Sequence, residues 1–88
     1  MRRFEGAFLA FWVAWILSFR QGKHLTQEKM AERICLTPRN YQKLECGVHL
    51  PSATTLTLFL GQLSDQEILS FVRSFARQVE VIRSQEAA

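Results

Sequence analysis

The sequence has few residues that interrupt helices and few that assemble metal sites. Its 88 residues contain four glycines and two prolines, and most apolar residues recur at spacings of three and four. This pattern predicts an all-α fold. There are two cysteines and two histidines, with no CxxC pair and no Cys/His cluster at metal spacing. We therefore expect no metal and no cofactor.

The two cysteines are not expected to form a disulfide. If a helix runs between Cys35 and Cys46, a rise of about 1.5 Å per residue places their Cα atoms roughly 16 Å apart. A disulfide requires less than about 7 Å. Two free thiols are typical of a reducing compartment, so we predict a cytoplasmic protein.

Groups for catalysis are also missing. His24 and His49 stand apart in the sequence, no pair of acids is spaced for acid–base chemistry, and neither cysteine has an obvious base nearby. The sequence therefore predicts no catalytic residues, and we reject an enzyme.

The charge is mildly basic and unevenly distributed. The net charge is +3, and residues 1–49 carry eight Lys/Arg against four Asp/Glu, whereas residues 50–88 carry three against four. A basic half suits a polyanion such as DNA. Charge alone is equally compatible with an ordinary solvated surface, so it supports this interpretation without deciding it.

An apolar run near the N-terminus is open to three interpretations. Residues 7–17 are eleven consecutive apolar residues behind Arg2 and Arg3, which resembles a signal peptide, but no small-x-small cleavage site follows. The run is also short of the ~20 apolar residues of a spanning helix. We favour a helix that is buried or packed in a dimer, and we predict no membrane association.

The apolar residues of that first helix occupy more than one face. A set at helical spacing is assigned to the core: Phe8, Trp12, Trp15, Ile16 and Phe19. Phe4, Phe11 and Val13 then lie elsewhere and need another partner. Because an apolar patch left after core packing usually marks an interface, we expect helix 1 to contribute to a dimer contact.

Capping residues predict where the middle helices begin. Thr26 is expected to cap helix 2, and Ser52 to cap helix 4. Thr37 is expected to cap helix 3, with Pro38 at its first position, where the missing N–H costs nothing. The core faces of helices 2 to 4 are assigned to Met30, Ala31, Ile34, Tyr41, Leu44, Leu56, Phe59, Leu60 and Leu63.

The outer helices complete a single predicted domain. Helix 1 is expected over residues 4–21 with Gly22 as terminator, and helix 5 over 65–83 with a frayed tail at 84–88. The apolar stripe of helix 5 comprises Ile68, Leu69, Val72, Phe75, Ala76, Val79 and Ile82. We take residues 1–88 as one five-helix domain.

Several residues between positions 25 and 56 have the order and spacing of a known motif. They are Leu25, Thr26, Gln27, Ala31, Thr37, Leu44, Glu45, Gly47, Pro51, Ser52, Thr55 and Leu56. In this order they resemble the phage repressor and Cro-like helix-turn-helix family, over about residues 13–63. The sequence departs from the family at His24 and Cys35, where glycine is usual.

The resemblance implies the fold class and the site. It implies an all-α, five-helix, repressor-like DNA-binding domain with an apolar N-terminal helix and a long C-terminal helix, and a helix-turn-helix over 26–46. Helix 3 would enter the major groove while helix 2 crosses the backbone. The implied DNA-binding residues are Gln27, Pro38, Arg39, Asn40, Gln42 and Lys43.

Each implied contact has its own chemistry. The fork of Arg39 suits guanine O6 and N7, and Pro38 suits a thymine methyl. Lys43 would reach a guanine or a phosphate. Gln27 matches the position where an amide and a helix N-terminus bind phosphate together.

Further positions have supporting roles in this scheme. Asn40 and Gln42 are expected at the flanks of the groove, and Lys23 and His49 beside the DNA backbone. Glu45, near the end of helix 3, is expected to pair with a basic side chain elsewhere in the domain. Arg20 is the candidate partner.

The resemblance predicts a sequence-specific transcriptional regulator that binds double-stranded DNA. We expect a repressor that acts as a homodimer on a palindromic operator and associates through helices 1 and 5. Two alternatives remain open: a protein-interaction module that has lost DNA binding, and an antitoxin-type regulator whose small protein partner covers the same apolar surface.

Overall fold

The chain folds into five α-helices. The computed structural model describes residues 4–87, and no β-strand occurs among them. The helices are α1 (Glu5–Gly22), α2 (Gln27–Arg33), α3 (Pro38–Glu45), α4 (Ala53–Leu60) and α5 (Asp65–Ala87). The predicted all-α, five-helix class is therefore confirmed.

Three of the helices begin at the predicted caps. The hydroxyls of Thr26, Thr37 and Ser52 each accept a hydrogen bond from the backbone N–H three residues later, at 3.1, 3.2 and 3.1 Å. Pro38 occupies the first turn of α3. Each cap satisfies an N–H that the helix itself leaves unpaired, which is worth about 1 kcal/mol.

The fifth helix begins with a reciprocal pair of hydrogen bonds. The backbone N–H of Ser64 donates to Glu67 Oε1 at 2.9 Å, and the backbone N–H of Glu67 donates to Ser64 Oγ at 3.1 Å. The bond from the Ser64 backbone, followed by a side-chain hydrogen bond from Ser64, lowers the pKa of the Glu67 carboxyl group. The Ser-x-x-Glu spacing therefore fixes where α5 starts.

The first three helices end in the same way. The backbone turns left-handed at His24, Cys35 and Gly47, with φ of 56°, 60° and 72°. In each case the following N–H donates to the carbonyl five residues back, at 3.0, 2.9 and 3.1 Å, as in a Schellman motif. Gly22, the predicted terminator of α1, is its last helical residue, and the left-handed residue comes two positions later.

The core is built around α1. Trp12 and Ile16 are fully buried, and the rings of Trp12 and Phe19 lie edge-on to Phe59 of α4, with centroids 5.0 and 5.5 Å away. The buried apolar residues are Phe11, Trp12, Ile16, Phe19, Met30, Ala31, Ile34, Tyr41, Leu44, Phe59, Leu63 and Phe71. Edge-to-face rings fill this space, and among residues 4–87 the buried indole N–H of Trp12 has no hydrogen-bond partner.

One predicted placement on helix 1 is wrong. Phe11, expected to lie off the core, is 7% exposed, and its ring centroid is 5.0 Å from Phe71. Phe8 contacts Phe75 at 5.2 Å, so α1 and α5 run antiparallel with their aromatic rings interleaved. This aromatic face is thus used inside the chain. No helix among residues 4–87 is long and apolar enough to cross a bilayer.

The predicted stripe of helix 5 also needs correction. Phe71, which the stripe omitted, is buried, whereas Leu69 and Val72 are 56% and 55% exposed and Ala76 is exposed too. The helix continues to Ala87, past the predicted end at residue 83. No glycine or proline interrupts it there, so nothing forces it to stop.

Candidate DNA interface

Helix α3 separates its side chains into an inner and an outer face. Tyr41 and Leu44 are buried against the core, with Glu45 beside them. The predicted contact residues of this helix are all exposed: Pro38, Arg39, Asn40, Gln42 and Lys43. The structure therefore brings together on one surface the residues that sequence reasoning assigned to DNA.

The cationic side chains of that surface are available to a ligand. Arg39 and Lys43 stand one turn apart on α3, and neither forms an ion pair or a side-chain hydrogen bond with any residue in the range 4–87. The acid on the same helix, Glu45, is buried and paired elsewhere. An exposed surface with two positive charges and no acid suits phosphates and guanine edges.

A buried carboxylate fixes α3 against α1 and α2. Arg20 of α1 donates from Nε and Nη2 to the two oxygens of Glu45 at 2.7 and 3.0 Å, which confirms the predicted pair. Gln27 of α2 donates from Nε2 to Oε1 at 2.8 Å. The hydroxyl of Tyr41 donates to Oε2. Four donors converge on one acceptor, so three helices are held in one arrangement.

The protonation equilibria of this cluster reflect the same geometry. Burial opposes ionisation of Glu45, but the hydrogen bonds from Arg20, Tyr41 and Gln27 outweigh it, so the pKa of Glu45 is lowered. The hydrogen bond with Glu45 raises the pKa of Arg20. Burial, together with donation to Glu45, raises the pKa of Tyr41. Glu45 therefore carries a full negative charge at neutral pH and acts only as an acceptor.

Two glutamines continue the cluster to the surface. Gln42 Nε2 of α3 donates to Gln27 Oε1 at 3.2 Å. The sequence indicated that both residues lie in one interface but not that they bond to each other. Their separation of fifteen residues carries no periodic signal that would have revealed the contact.

The predicted backbone contacts lie outside α3. Lys23 follows α1, and its Nζ is 5.2 Å from the centroid of the Phe19 ring, a cation–π distance. His49 is exposed in the loop before α4, where its Nδ1 is 3.0 Å from the carbonyl of Leu50. The loop and α3 together form a shallow groove, lined in part by His49 and Asn40.

The cysteines and the other potential metal ligands lie apart. Cys35 and Cys46 are exposed free thiols at opposite ends of α3. Within residues 4–87, no group of three or more His, Cys, Asp or Glu side chains is placed to hold a metal ion.

A short capped helix, a left-handed turn and a second helix with an exposed cationic face define a helix-turn-helix domain. The family model for this class, helix-turn-helix, matches residues 16–63, more than half of the chain. The chain belongs to the helix-turn-helix family of the Cro and phage-repressor type. This is a family of DNA-binding regulators of transcription and not of enzymes.

The match ends before α5 and excludes most of α1. Searches of curated proteins and of solved structures found no match.

Proposed function

We propose that this protein is a sequence-specific repressor that binds a palindromic operator as a homodimer. The observation that carries the proposal is the outer face of α3, where Arg39 and Lys43 are exposed without acidic partners. The family supplies DNA binding, and this face supplies side chains that distinguish one sequence from another. A protein bound at an operator represses transcription by excluding other proteins from that DNA. With two exposed free thiols, we place the protein in the cytoplasm.

In the proposed complex the N-terminal half of α3 enters the major groove. Arg39 pairs with guanine O6 and N7, Pro38 contacts a thymine methyl, and Lys43 reaches a guanine or a phosphate. Asn40 lies at the flank of the groove. The start of α2 lies on the backbone, where Gln27 and the helix N-terminus bind phosphate.

The proposed dimer forms through the outer face of α5 alone. Leu69, Val72 and Ala76 form an exposed apolar row at spacings of three and four, which is what a partner helix covers. An antiparallel pairing sets acidic Asp65 at the start of one α5 against Arg83 near the end of the other, whereas a parallel pairing would superpose like charges. A two-fold dimer of this kind reads a palindrome.

Selection of bound duplexes from a random pool tests the proposal. We expect enrichment of a palindrome, and Arg39→Ala should lose preference at one position per half-site, at a cost of about 1–3 kcal/mol. Arg33→Ala, which removes the same exposed charge from α2, should weaken all duplexes about equally. A pool that shows no enrichment would contradict the proposal.

One observation favours a second function, a protein-interaction or antitoxin-type role. The apolar row on α5 is exposed and could be covered by a small protein instead of a second copy, and Pro38 offers no hydrogen-bond donor to bases. Phosphate contacts make DNA affinity fall steeply with salt. A partner that binds α5 independently of salt, together with an Arg39→Ala variant that behaves as wild type towards all duplexes, would favour this alternative.

A further inference from the structure

The buried Glu45 carboxylate dictates which way the Gln27 side chain faces. Because the ionised carboxylate only accepts hydrogen bonds, Gln27 must turn its NH₂ group inward, and its Nε2 donates to Glu45 Oε1 at 2.8 Å. The opposite orientation would bring the amide oxygen against the carboxylate oxygen. The amide oxygen Oε1 of Gln27 is therefore directed away from the carboxylate.

That orientation fixes the next amide in turn. An oxygen that faces α3 needs a donor, and Gln42 supplies one from Nε2 at 3.2 Å. The donors therefore run in one direction, from exposed Gln42 through half-buried Gln27 to buried Glu45. Reversing either amide would oppose two acceptors or two donors, so the charge on Glu45 sets the hydrogen-bond polarity of a surface residue on α3.

The bonds already made leave Gln27 with a defined remaining capacity. Its Oε1 accepts from Gln42 and one N–H donates to Glu45, so one N–H remains as a donor, beside a second lone pair on Oε1. Gln27 is the first residue of α2, the helix that crosses the DNA backbone in this docking mode. A phosphate oxygen accepts and never donates, so it matches the remaining N–H.

We propose that Gln42 is a positioning residue that holds the Gln27 amide for a DNA phosphate, and that Gln42 does not itself read a base. This inference rests on the proposed DNA-binding function. Gln42 turns its NH₂ group towards α2, the backbone-crossing helix, whereas the groove-entering residues of α3 are at its N-terminus. Its effect on DNA is therefore transmitted through Gln27.

A double-mutant cycle on the selected duplex tests this role. Gln27→Ala should weaken binding about threefold to tenfold, the value of one hydrogen bond, and Gln42→Ala by no more than that. In the Gln27→Ala background, Gln42→Ala should cause no further loss. The matched control is the neighbouring Lys43→Ala. Its fold loss of affinity should multiply with that of Gln27→Ala, because Lys43 contacts DNA independently of Gln27.

Two further readouts separate positioning from general weakening. Duplex selection with Gln42→Ala should return the wild-type base preference at each position. Replacing backbone phosphates one at a time by methylphosphonate should identify one phosphate per half-site to which wild type is more sensitive than Gln27→Ala. Gln42→Ala should reduce the sensitivity at that same phosphate. Urea unfolding of each variant confirms that it folds.

The outcomes are distinguishable. Losses that multiply between Gln27 and Gln42, a changed base preference in Gln42→Ala, or wild-type affinity in Gln42→Ala would each overturn the positioning role and leave the regulator intact. Failure of the wild-type protein to select any duplex would overturn the proposed function, and this inference with it.

Discussion

Replacing Glu45 by glutamine tests whether the buried carboxylate holds the helix-turn-helix together. The substitution keeps the size of the side chain but removes its charge, and its NH₂ group then faces donors from Arg20, Tyr41 or Gln27. The side chains of Arg20 and Glu45 are 17% and 6% exposed, so water cannot easily replace the lost contacts. Breaking a fully buried pair costs about 3–5 kcal/mol. With Arg20 partly solvated, we expect about 2–3 kcal/mol.

The expected cost depends on pH in a defined direction. The pKa of Glu45 is lowered in the folded state, relative to about 4.3 in an unfolded chain. The contribution of ionised Glu45 to the free energy of unfolding is therefore fully present above about pH 4.3. It disappears as the pH falls through the lower pKa of the folded state. The difference in unfolding free energy between wild type and Glu45→Gln should accordingly be largest at neutral pH and shrink towards pH 3.

Urea unfolding followed by tryptophan fluorescence measures this difference, because Trp12 is fully buried. A loss of about 2–3 kcal/mol is a large part of the roughly 5–13 kcal/mol expected for a domain of this size. Glu32→Gln is the matched control, since that carboxylate is exposed and lies 3.8 Å from Lys29; it should change stability by less than about 0.5 kcal/mol. A cost below about 1 kcal/mol, or one that stays constant down to pH 3, would refute the reasoning.

Three further predictions concern the fold. At the left-handed positions Cys35 and His24, the Gly variant should be more stable than the Ala variant by about 0.5–1 kcal/mol in urea unfolding, because glycine relieves the backbone strain but has more freedom when unfolded; equal stability would contradict this. Phe71→Ala should cost about 3–5 kcal/mol, whereas Leu69→Ala should cost less than about 1 kcal/mol and weaken self-association in analytical ultracentrifugation; the reverse order would show that α5 is rotated. Ser64→Ala should cost about 1 kcal/mol of unfolding free energy, and an unchanged urea midpoint would show that this cap is not needed.

Helix starts could be predicted from the sequence because their signals are local. Thr26, Thr37 and Ser52 each satisfy an N–H only three residues away, so the residue type and the next turn contain the needed information. The same holds for Ser64 and Glu67. Helix ends were less certain, since His24 and Cys35 adopt a conformation that usually favours glycine.

The rotation of α5 about its axis could not be predicted because its apolar residues occupy more than one face of the helix. Ile68, Leu69, Phe71 and Val72 lie within five consecutive positions, so a period of 3.6 fits two orientations that differ by one residue. The choice depends on which residues fill the space beside Phe11 and Trp15, and Phe71 does so with centroids at 5.0 and 5.2 Å. The orientation of α5 therefore depends on residues of α1, which are distant in the sequence.

The site was predictable in outline but not in its hydrogen bonds. The resemblance indicated the exposed residues of α3 and the pairing of Arg20 with Glu45. It did not indicate that Tyr41 donates to Glu45 or that Gln42 donates to Gln27. Those bonds depend on side-chain rotamers and on how α2 and α3 cross, which only tertiary packing sets.

The same packing choice sets both the core and the proposed interface of this protein. Because Phe71 turns towards Phe11, Leu69 and Val72 on the adjacent faces of α5 are left in solvent. The aromatic face of α1 therefore does not compete for a partner; it determines which face of α5 is offered to one. Substitutions in the α1–α5 core should then alter self-association as well as stability, whereas substitutions of the exposed Arg39 and Lys43 on α3 should alter DNA binding alone.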